Sequence, residues 1–297
     1  MAVTLHIVGC GRVGRTLARL WADAGTFAIG QVVNRSVESA EAAVEFIGRG
    51  QVNDTLAPID GDDWLMLAAP DSRLAVIAVT SAAGLSCAPA LALHVSGAEP
   101  AELLRPLGCP VVAVHPVCPF SDPQRAVETF SGSYALGEGD DEALDKALPV
   151  FAEIGAQTMR FTPSDKRRYH AATIAASNFL NVLDDLALRL AESAGLVPDQ
   201  ALKVIVALQR AGLANIERAG PVQALTGPIE RADRAVCERL VHTPGVAENE
   251  LFMALARATV DLAGRKHGRA CAYSPDPLRE LFAEPGVIRA GDADGSV

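Results

Sequence analysis

No run of apolar residues approaches the ~20 needed to cross a bilayer as a helix; the longest, Trp64–Ala69 and Leu74–Val79, stop at charged, proline or hydroxyl residues. A membrane-spanning role is therefore not expected. The start, Met1 to His6, has no basic region ahead of its apolar stretch, so no leader peptide is expected and the reading is cytoplasmic. Basic blocks are missing too. With 26 Lys+Arg against 36 Asp+Glu the formal charge is −10, which leaves no phosphate-neutralising surface and argues against nucleic acid as a partner. The six cysteines, Cys10, Cys87, Cys109, Cys118, Cys237 and Cys271, form no Cys-x-x-Cys pair and no metal-ligand spacing with the histidines; they read as reduced thiols and no metal is expected. Aromatic residues make up only 5%.

What is present is a chain of 297 residues, 49% hydrophobic and 21% charged, enough for two domains that each bury a core. Residues 1–162 hold 10 basic and 19 acidic side chains, while 163–297 are nearly balanced. The first part alternates short apolar runs with helical patterns. Strands are expected at Leu5–Val8, Ile29–Val33, Trp64–Ala69, Leu91–Val95, Val111–Val114, near Tyr134–Leu136 and at Thr158–Phe161. Helices are expected at Arg12–Ala24, Val37–Gly48, Asp71–Ala83 and Asp140–Ile154, which together make a parallel α/β sheet. From Ser164 onward, long Ala/Leu/Arg segments at helical period, about 164–194, 199–218, 229–242 and 248–267, are separated by Gly/Pro breaks that include Gly220–Pro221 and Pro244–Gly245. The expected fold class is α/β: a doubly wound parallel Rossmann sheet over 1–162 with a boundary at Thr162–Ser164, a second, all-helical substrate and dimerisation domain over 163–284, and a frayed tail over 285–297.

Gly9-Cys10-Gly11-Arg12-Val13-Gly14 follows a strand and opens a helix. In that setting Gly9 allows the tight turn, Gly11 the close approach of a pyrophosphate and Gly14 the packing of helix on strand, with the helix N-terminus binding the anion. At the end of the second strand, Asn34-Arg35-Ser36 stands where a carboxylate would select NAD. A guanidinium and a hydroxyl there favour the 2′-phosphate of NADP. Ala69 and Pro70, past the next strand, are expected along the cofactor backbone, with Asp71 or Ser72 capping the following helix.

Polar residues at the carboxyl ends of the later strands are the candidates for chemistry. His94 sits in an apolar run and reads as a satisfied core histidine, whereas Ser96 just beyond it can approach the nicotinamide. His115, placed at the strand end by Pro116, suits donating a proton to a carbonyl or orienting a substrate oxygen, or else pinning the proline-rich loop. On the helix that opens the second domain, His170, Thr173, Ser177 and Asn181 recur on one stripe with Asn178 beside it. His170, Ser177 and Asn178 are expected to hold substrate polar groups between the domains, unless the stripe lies in a dimer contact.

The segments Gly9–Gly14, Asn34–Ser36, Leu67–Ser72, His94–Ala98, Val114–Pro123, Lys166–Leu180 and Ala224–Asp233 resemble Rossmann-like NADP-binding oxidoreductases grouped near deazaflavin-dependent NADP oxidoreductases and pyrroline-5-carboxylate reductase, with a helical domain like that of 6-phosphogluconate dehydrogenase. More distantly the architecture is similar to prephenate, 3-hydroxyisobutyrate and ketopantoate dehydrogenases or reductases. The resemblance to prephenate dehydrogenases implies a catalytic role for His115 before Pro116. The Lys-x-x-x-Asn of hydroxyacid dehydrogenases is not reproduced: four residues after Lys166 stands His170, and four before Asn178 stands Ile174. What the residues and the resemblance together imply is an NADP-dependent oxidoreductase moving hydride to or from a small carbonyl, imine or hydroxyacid substrate, working as a homodimer through its helical domain. A non-catalytic NADP(H)-binding redox sensor or regulatory module is the alternative.

Overall fold

The computed structural model describes residues 3–162, 165–243, 245–246, 249–268 and 275–283. Cys271, the Pro244 break and the expected tail lie outside them. The sheet strands are β1 (Val3–Val8), β2 (Phe27–Val33), β3 (Gln51–Asn53), β4 (Trp64–Leu67), β5 (Leu91–His94), β6 (Val111–Val117), β7 (Tyr134–Gly139) and β8 (Gln157–Arg160). Between them run α1 (Arg12–Ala24), α2 (Val37–Ile47), α3 (Asp71–Gly84), α4 (Pro123–Thr129) and α5 (Asp141–Glu153), with a 3-10 segment at Ala101–Leu107. The helices that follow are α6 (Lys166–Ser193), α7 (Pro198–Ala224), α8 (Arg234–Val241), α9 (Glu250–His267) and α10 (Asp276–Leu281).

The strand order is β3-β2-β1-β4-β5-β6-β7-β8. All neighbours are parallel except β6 and β7, which pair antiparallel from Val112 opposite Gly139 to Val117 opposite Tyr134. The order reverses between β1 and β4, so a crevice opens there at the carboxyl ends of the strands. β4 is buried at every residue, as a central parallel strand covered on both faces must be. One face packs Leu5, Ile7, Trp21, Phe27 and Phe151 under α1, α2 and α5. The other packs Leu65, Leu67, Leu74 and Leu104 under α3 and the 3-10 segment.

Local chemistry sets the element ends. Ser36 caps α2 by accepting from the Ser39 amide, and Asp122 caps α4 by accepting from the Gln124 and Arg125 amides. Asp71 does not cap α3: Pro70 occupies that position without a side-chain bond, and Asp71 lies in the first turn, where its charge still suits the helix dipole. The glycine break expected at Gly220–Pro221 is a kink within α7, where Gly220 has φ 72° and ψ 162°.

The chain divides into two compact units, Met1–Leu180 and Asn181–Val297, the division falling inside α6. Thr162 precedes α6, and Pro163 and Ser164 lie outside the described residues. The second unit is helical throughout its described elements and has its own small core of Cys237, Val260, Leu278 and Phe282. The five described cysteines are unpaired. Among the described residues no helix is long and apolar enough to cross a membrane.

Trp21 anchors the first unit. It is fully buried, sets its ring edge-on to Phe27 and Phe151 at centroid distances of 5.4 and 5.1 Å, and donates its indole N–H to the Val150 carbonyl at 2.8 Å. Replacing Trp21 by Ala leaves a large cavity and an unpaired carbonyl, and is expected to cost ~3–5 kcal/mol, read as a lower urea midpoint at unchanged slope.

Candidate functional site

The glycine loop shows how three glycines divide the work. A Cβ on Gly9 would lie 2.6 Å from the Ala69 amide nitrogen, so this residue, at φ +84°, must be glycine for β1 and the β4 exit to meet. A Cβ on Gly14 would reach 3.0 Å from the Ala68 Cβ, a close helix-to-strand contact. Gly11 differs: nothing lies within 4 Å of where its Cβ would be, and it opens α1 with no side-chain cap. The loop therefore offers uncapped helix N–H groups beside a cleared space at the sheet's switch point, which fits the pyrophosphate of a dinucleotide.

Cys10 is fully buried, and burial pushes its thiol up to about 12, so it stays neutral. Its amide donates to Asn34 Oδ1 at 2.6 Å, while Asn34 Nδ2 donates to the Ser39 carbonyl at 2.8 Å. Asn34 thus ties the glycine loop to α2. Ser36 is occupied as the α2 cap and also hydrogen-bonds Glu38, whose carboxyl is held below its usual range by its own backbone amide and by Ser36. Arg35 is exposed and in no ion pair among the described residues.

At the ends of β5 and β6 a second group assembles within the first unit. His94 is fully buried with both ring nitrogens used, Nε2 donating to the Pro100 carbonyl at 3.1 Å and Nδ1 accepting from the Ser96 amide at 3.2 Å. Ser96 Oγ accepts from the amides of Ala98 and Glu99, shaping the turn that carries Gly97. His115 lies on that glycine: a Gly97 Cβ would fall 2.8 Å from His115 Nε2. On its other side His115 Nδ1 is 2.7 Å from the Tyr169 hydroxyl, and the His170 ring stands 6.5 Å away. Phe161 supports the Tyr169 ring at 4.8 Å. Lys166, one turn earlier on α6, pairs with Glu138 at 2.9 Å, and Glu138 also accepts from the Ala101 amide.

Burial, then the neighbouring His170 and Lys166, pull His115 down to about 4, against a smaller opposing pull from Asp71. Burial likewise takes His94 down to about 3. His115 is therefore a neutral imidazole near pH 7, able to donate or accept a hydrogen bond but holding little proton to give away. Burial raises the Tyr169 hydroxyl, which stays protonated.

The structure brings His115 and His170 together but places Ser177 and Asn178 two turns further along α6, ~10 Å from His170 by helix rise. Ser177 Oγ donates to the Thr173 carbonyl at 2.8 Å and lies 3.0 Å from the Asn178 side-chain amide. Ala69 and Pro70 lie at the β4 exit, Ala69 directly against Gly9. Sequence reasoning missed Tyr169, Lys166 and Glu138. A signal existed: Lys166, Tyr169 and His170 fall at i, i+3 and i+4 on one helix face, beside the stripe of short polar groups that drew attention instead.

Residues 2–116 match the family model of a Rossmann-like domain, and residues 133–259 that of a domain of unknown function (DUF2520). Both matches agree with the resemblance read from the glycine loop and from the segments around Tyr169 and Leu225. The fold is shared by a Thermotoga maritima protein, TM1727, at 24% identity and TM-score 0.67, over 89% of this chain and 100% of that one. It is shared by a Bacteroides fragilis protein, BF3122, provisionally named an NADP oxidoreductase, at 21% identity and TM-score 0.68, over 90% and 99%. A pyrroline-5-carboxylate reductase from Coxiella burnetii aligns at 14% identity and TM-score 0.55, over 95% and 99%. No curated protein matches the sequence.

The two buried imidazoles make stability pH-dependent. Their folded values lie below the ordinary 6.5, so as pH falls the unfolded chain takes up protons that the folded chain refuses. Stability is complete above pH 6.5 and is lost down to about pH 4 for His115. Between pH 7 and 5 the loss is expected to be about 2 kcal/mol for each histidine, measured by urea unfolding, and His115→Asn should remove its share. Gly97→Ala, by displacing the His115 ring, should shrink the same loss.

Proposed function

We propose that the protein is an NADP(H)-dependent oxidoreductase that moves hydride between the nicotinamide and a small carbonyl, imine or hydroxyacid substrate. The observation that carries this reading is the cleared space at Gly11 at the sheet's switch point, with the neutral His115 at the carboxyl end of a strand in the same sheet. When bound, the nicotinamide supplies or receives the hydride. The chain's part is to hold the dinucleotide along Gly9, Cys10, Gly11, Arg12, Val13 and Gly14, with Ala69, Pro70 and Ser96 beside its path, and to present His115 to the reacting oxygen or nitrogen. Since His115 is neutral, orienting and polarising the substrate is its role, more than giving up a stored proton. His170 stands with it, and Ser177 and Asn178 are left to contact more distant parts of a substrate.

Arg35 is the group on which preference for NADP rests, because Asn34 is committed to the glycine loop and Ser36 to the α2 cap. The fold also accords with this class: besides the Coxiella burnetii reductase, a Bacillus cereus imine reductase aligns at TM-score 0.55, and a Plasmodium falciparum pyrroline carboxylate reductase solved with NADP aligns at TM-score 0.52. The test is twofold. Titration of nicotinamide fluorescence should show NADPH binding more tightly than NADH, with Arg35→Ala removing ~10-fold or more of the preference. Equal affinities in the unmodified protein would remove the cofactor reading. Against a panel of small ketones, imines and oxoacids, His115→Ala should lose ~10²–10⁴-fold of the NADPH-dependent turnover with NADPH affinity nearly unchanged.

The assembly reading is a homodimer through the helical region. On α7, Leu202, Val204, Leu208 and Leu213 are 51%, 54%, 69% and 57% exposed, a density of apolar groups that a second copy would cover. Sedimentation at micromolar concentration is expected to give a dimer, and Leu208→Glu to give a monomer.

A further inference from the structure

In the His115 group, one contact fixes more than position. His115 Nδ1 and the Tyr169 hydroxyl are 2.7 Å apart, and one of them must donate. A phenol is the stronger hydrogen-bond donor and an imidazole nitrogen the stronger acceptor. If His115 carried its proton on Nδ1, the half-buried Tyr169 hydroxyl would have to donate elsewhere, and no other acceptor is recorded for it. The arrangement with both groups satisfied is O–H from Tyr169 to Nδ1. A neutral imidazole accepting at Nδ1 carries its hydrogen on Nε2.

Nε2 has no protein partner among the described residues and is not among the nitrogens sealed from solvent, although its edge lies against Gly97. His170 Nδ1, on the neighbouring ring, is sealed from solvent and also has no partner. His170 Nδ1 cannot be reached from outside as it stands, so the open position is His115 Nε2, which marks a place for a hydrogen-bonding group from outside the protein. Lys166, one of the charges acting on His115, is already paired with Glu138 at 2.9 Å, and Asp71, which also acts on it, is an anion. The group that fits is therefore uncharged and hydrogen-bond accepting.

We propose that Tyr169 is a positioning residue that locks His115 in the Nε2–H tautomer, so that His115 Nε2 donates to a carbonyl oxygen of the substrate. This rests on the oxidoreductase reading for the identity of that oxygen as the reacting one. The tautomer stands on the geometry alone.

The test uses the full chain with ¹⁵N-labelled histidine, and long-range proton–nitrogen spectra at pH 7. The unmodified protein should show His115 protonated only at Nε2, and Tyr169→Phe, which keeps the ring on Phe161, should release it into a tautomer mixture. Acetone added with NADP⁺ should shift the His115 Nε2–H signal saturably, with ~10-fold weaker binding in Tyr169→Phe. A His115 protonated at Nδ1 in the unmodified protein overturns the proposal, and that spectrum needs no variant to fold. So does an unchanged tautomer in folded Tyr169→Phe, or acetone that leaves the His115 Nε2–H signal unmoved. NADPH titration of the same samples separates the two readings: absent binding removes the oxidoreductase assignment, while a locked Nε2–H tautomer with an acetone response still upholds the lock.

Discussion

The site depends on taking an imidazole out of water without giving it a carboxylate. β6 carries His115 from a fully buried stretch, Val111 to Val114, to the end of the sheet, where Gly97 lies beneath the ring and Tyr169 meets Nδ1. Desolvation is the largest influence on its proton; His170 and Lys166 act in the same direction, and Asp71 opposes them more weakly. In the Ser-His-Asp arrangement a buried carboxylate stabilises an imidazolium. Here burial, with His170 and Lys166, makes the charged form costly, so the site holds His115 as a neutral imidazole.

That constraint explains why the neighbouring residues have the sizes they have. Gly97 has no side chain because a Cβ would collide with the ring. Ser96 spends its hydroxyl on the two amides that follow, which holds the Gly97 backbone in place. Glu138 comes from β7, the first strand that runs against the rest; its reversed direction brings the carboxylate to both the Ala101 amide and Lys166 at the start of α6. The antiparallel turn of the sheet is therefore part of how the helix bearing Tyr169 and His170 is fastened over the strand ends.

Much of this frame was legible in the sequence, and what was not has physical reasons. Apolar runs and glycine punctuation located β1, α1, β2, α2, β4, α3, β5 and the ends of β6 and β7 to within a few residues. β3 has only three residues and none of them is fully buried, so it carries no periodic signal. The 3-10 segment contains Pro106, and α4 is seven residues opened by Pro123, which in a one-dimensional reading look like loop. The reversal at β7 leaves no trace in its composition. At the site, His115 was visible because Pro116 was expected to end the strand; β6 in fact continues through the proline to Val117, with Pro116 opposite Ala135, and His115 lies two residues before its end, whereas Tyr169 drew no reading at all. Only its hydrogen bond to β6, 54 residues away, shows its place at the site.

The same distinction between residue type and residue commitment bears on cofactor choice. Asn34, Arg35 and Ser36 look, as letters, like three equivalent donors for a ribose phosphate. In the fold, Asn34 accepts from Cys10 and donates to Ser39, so it shapes the glycine loop and is not free to follow a ligand. Ser36 has its lone pair on the Ser39 amide and its hydroxyl beside Glu38, whose lowered carboxyl pKa keeps a negative charge at the same helix start. A 2′-phosphate there would meet one exposed guanidinium and one carboxylate. Its net attraction then depends on Arg35 reaching the phosphate more closely than Glu38 does, a balance that salt screens quickly because both groups are exposed. The proposed preference for the phosphorylated nucleotide therefore rests on one exposed cation, while Asn34 and Ser36 beside it shape the glycine loop and the start of α2.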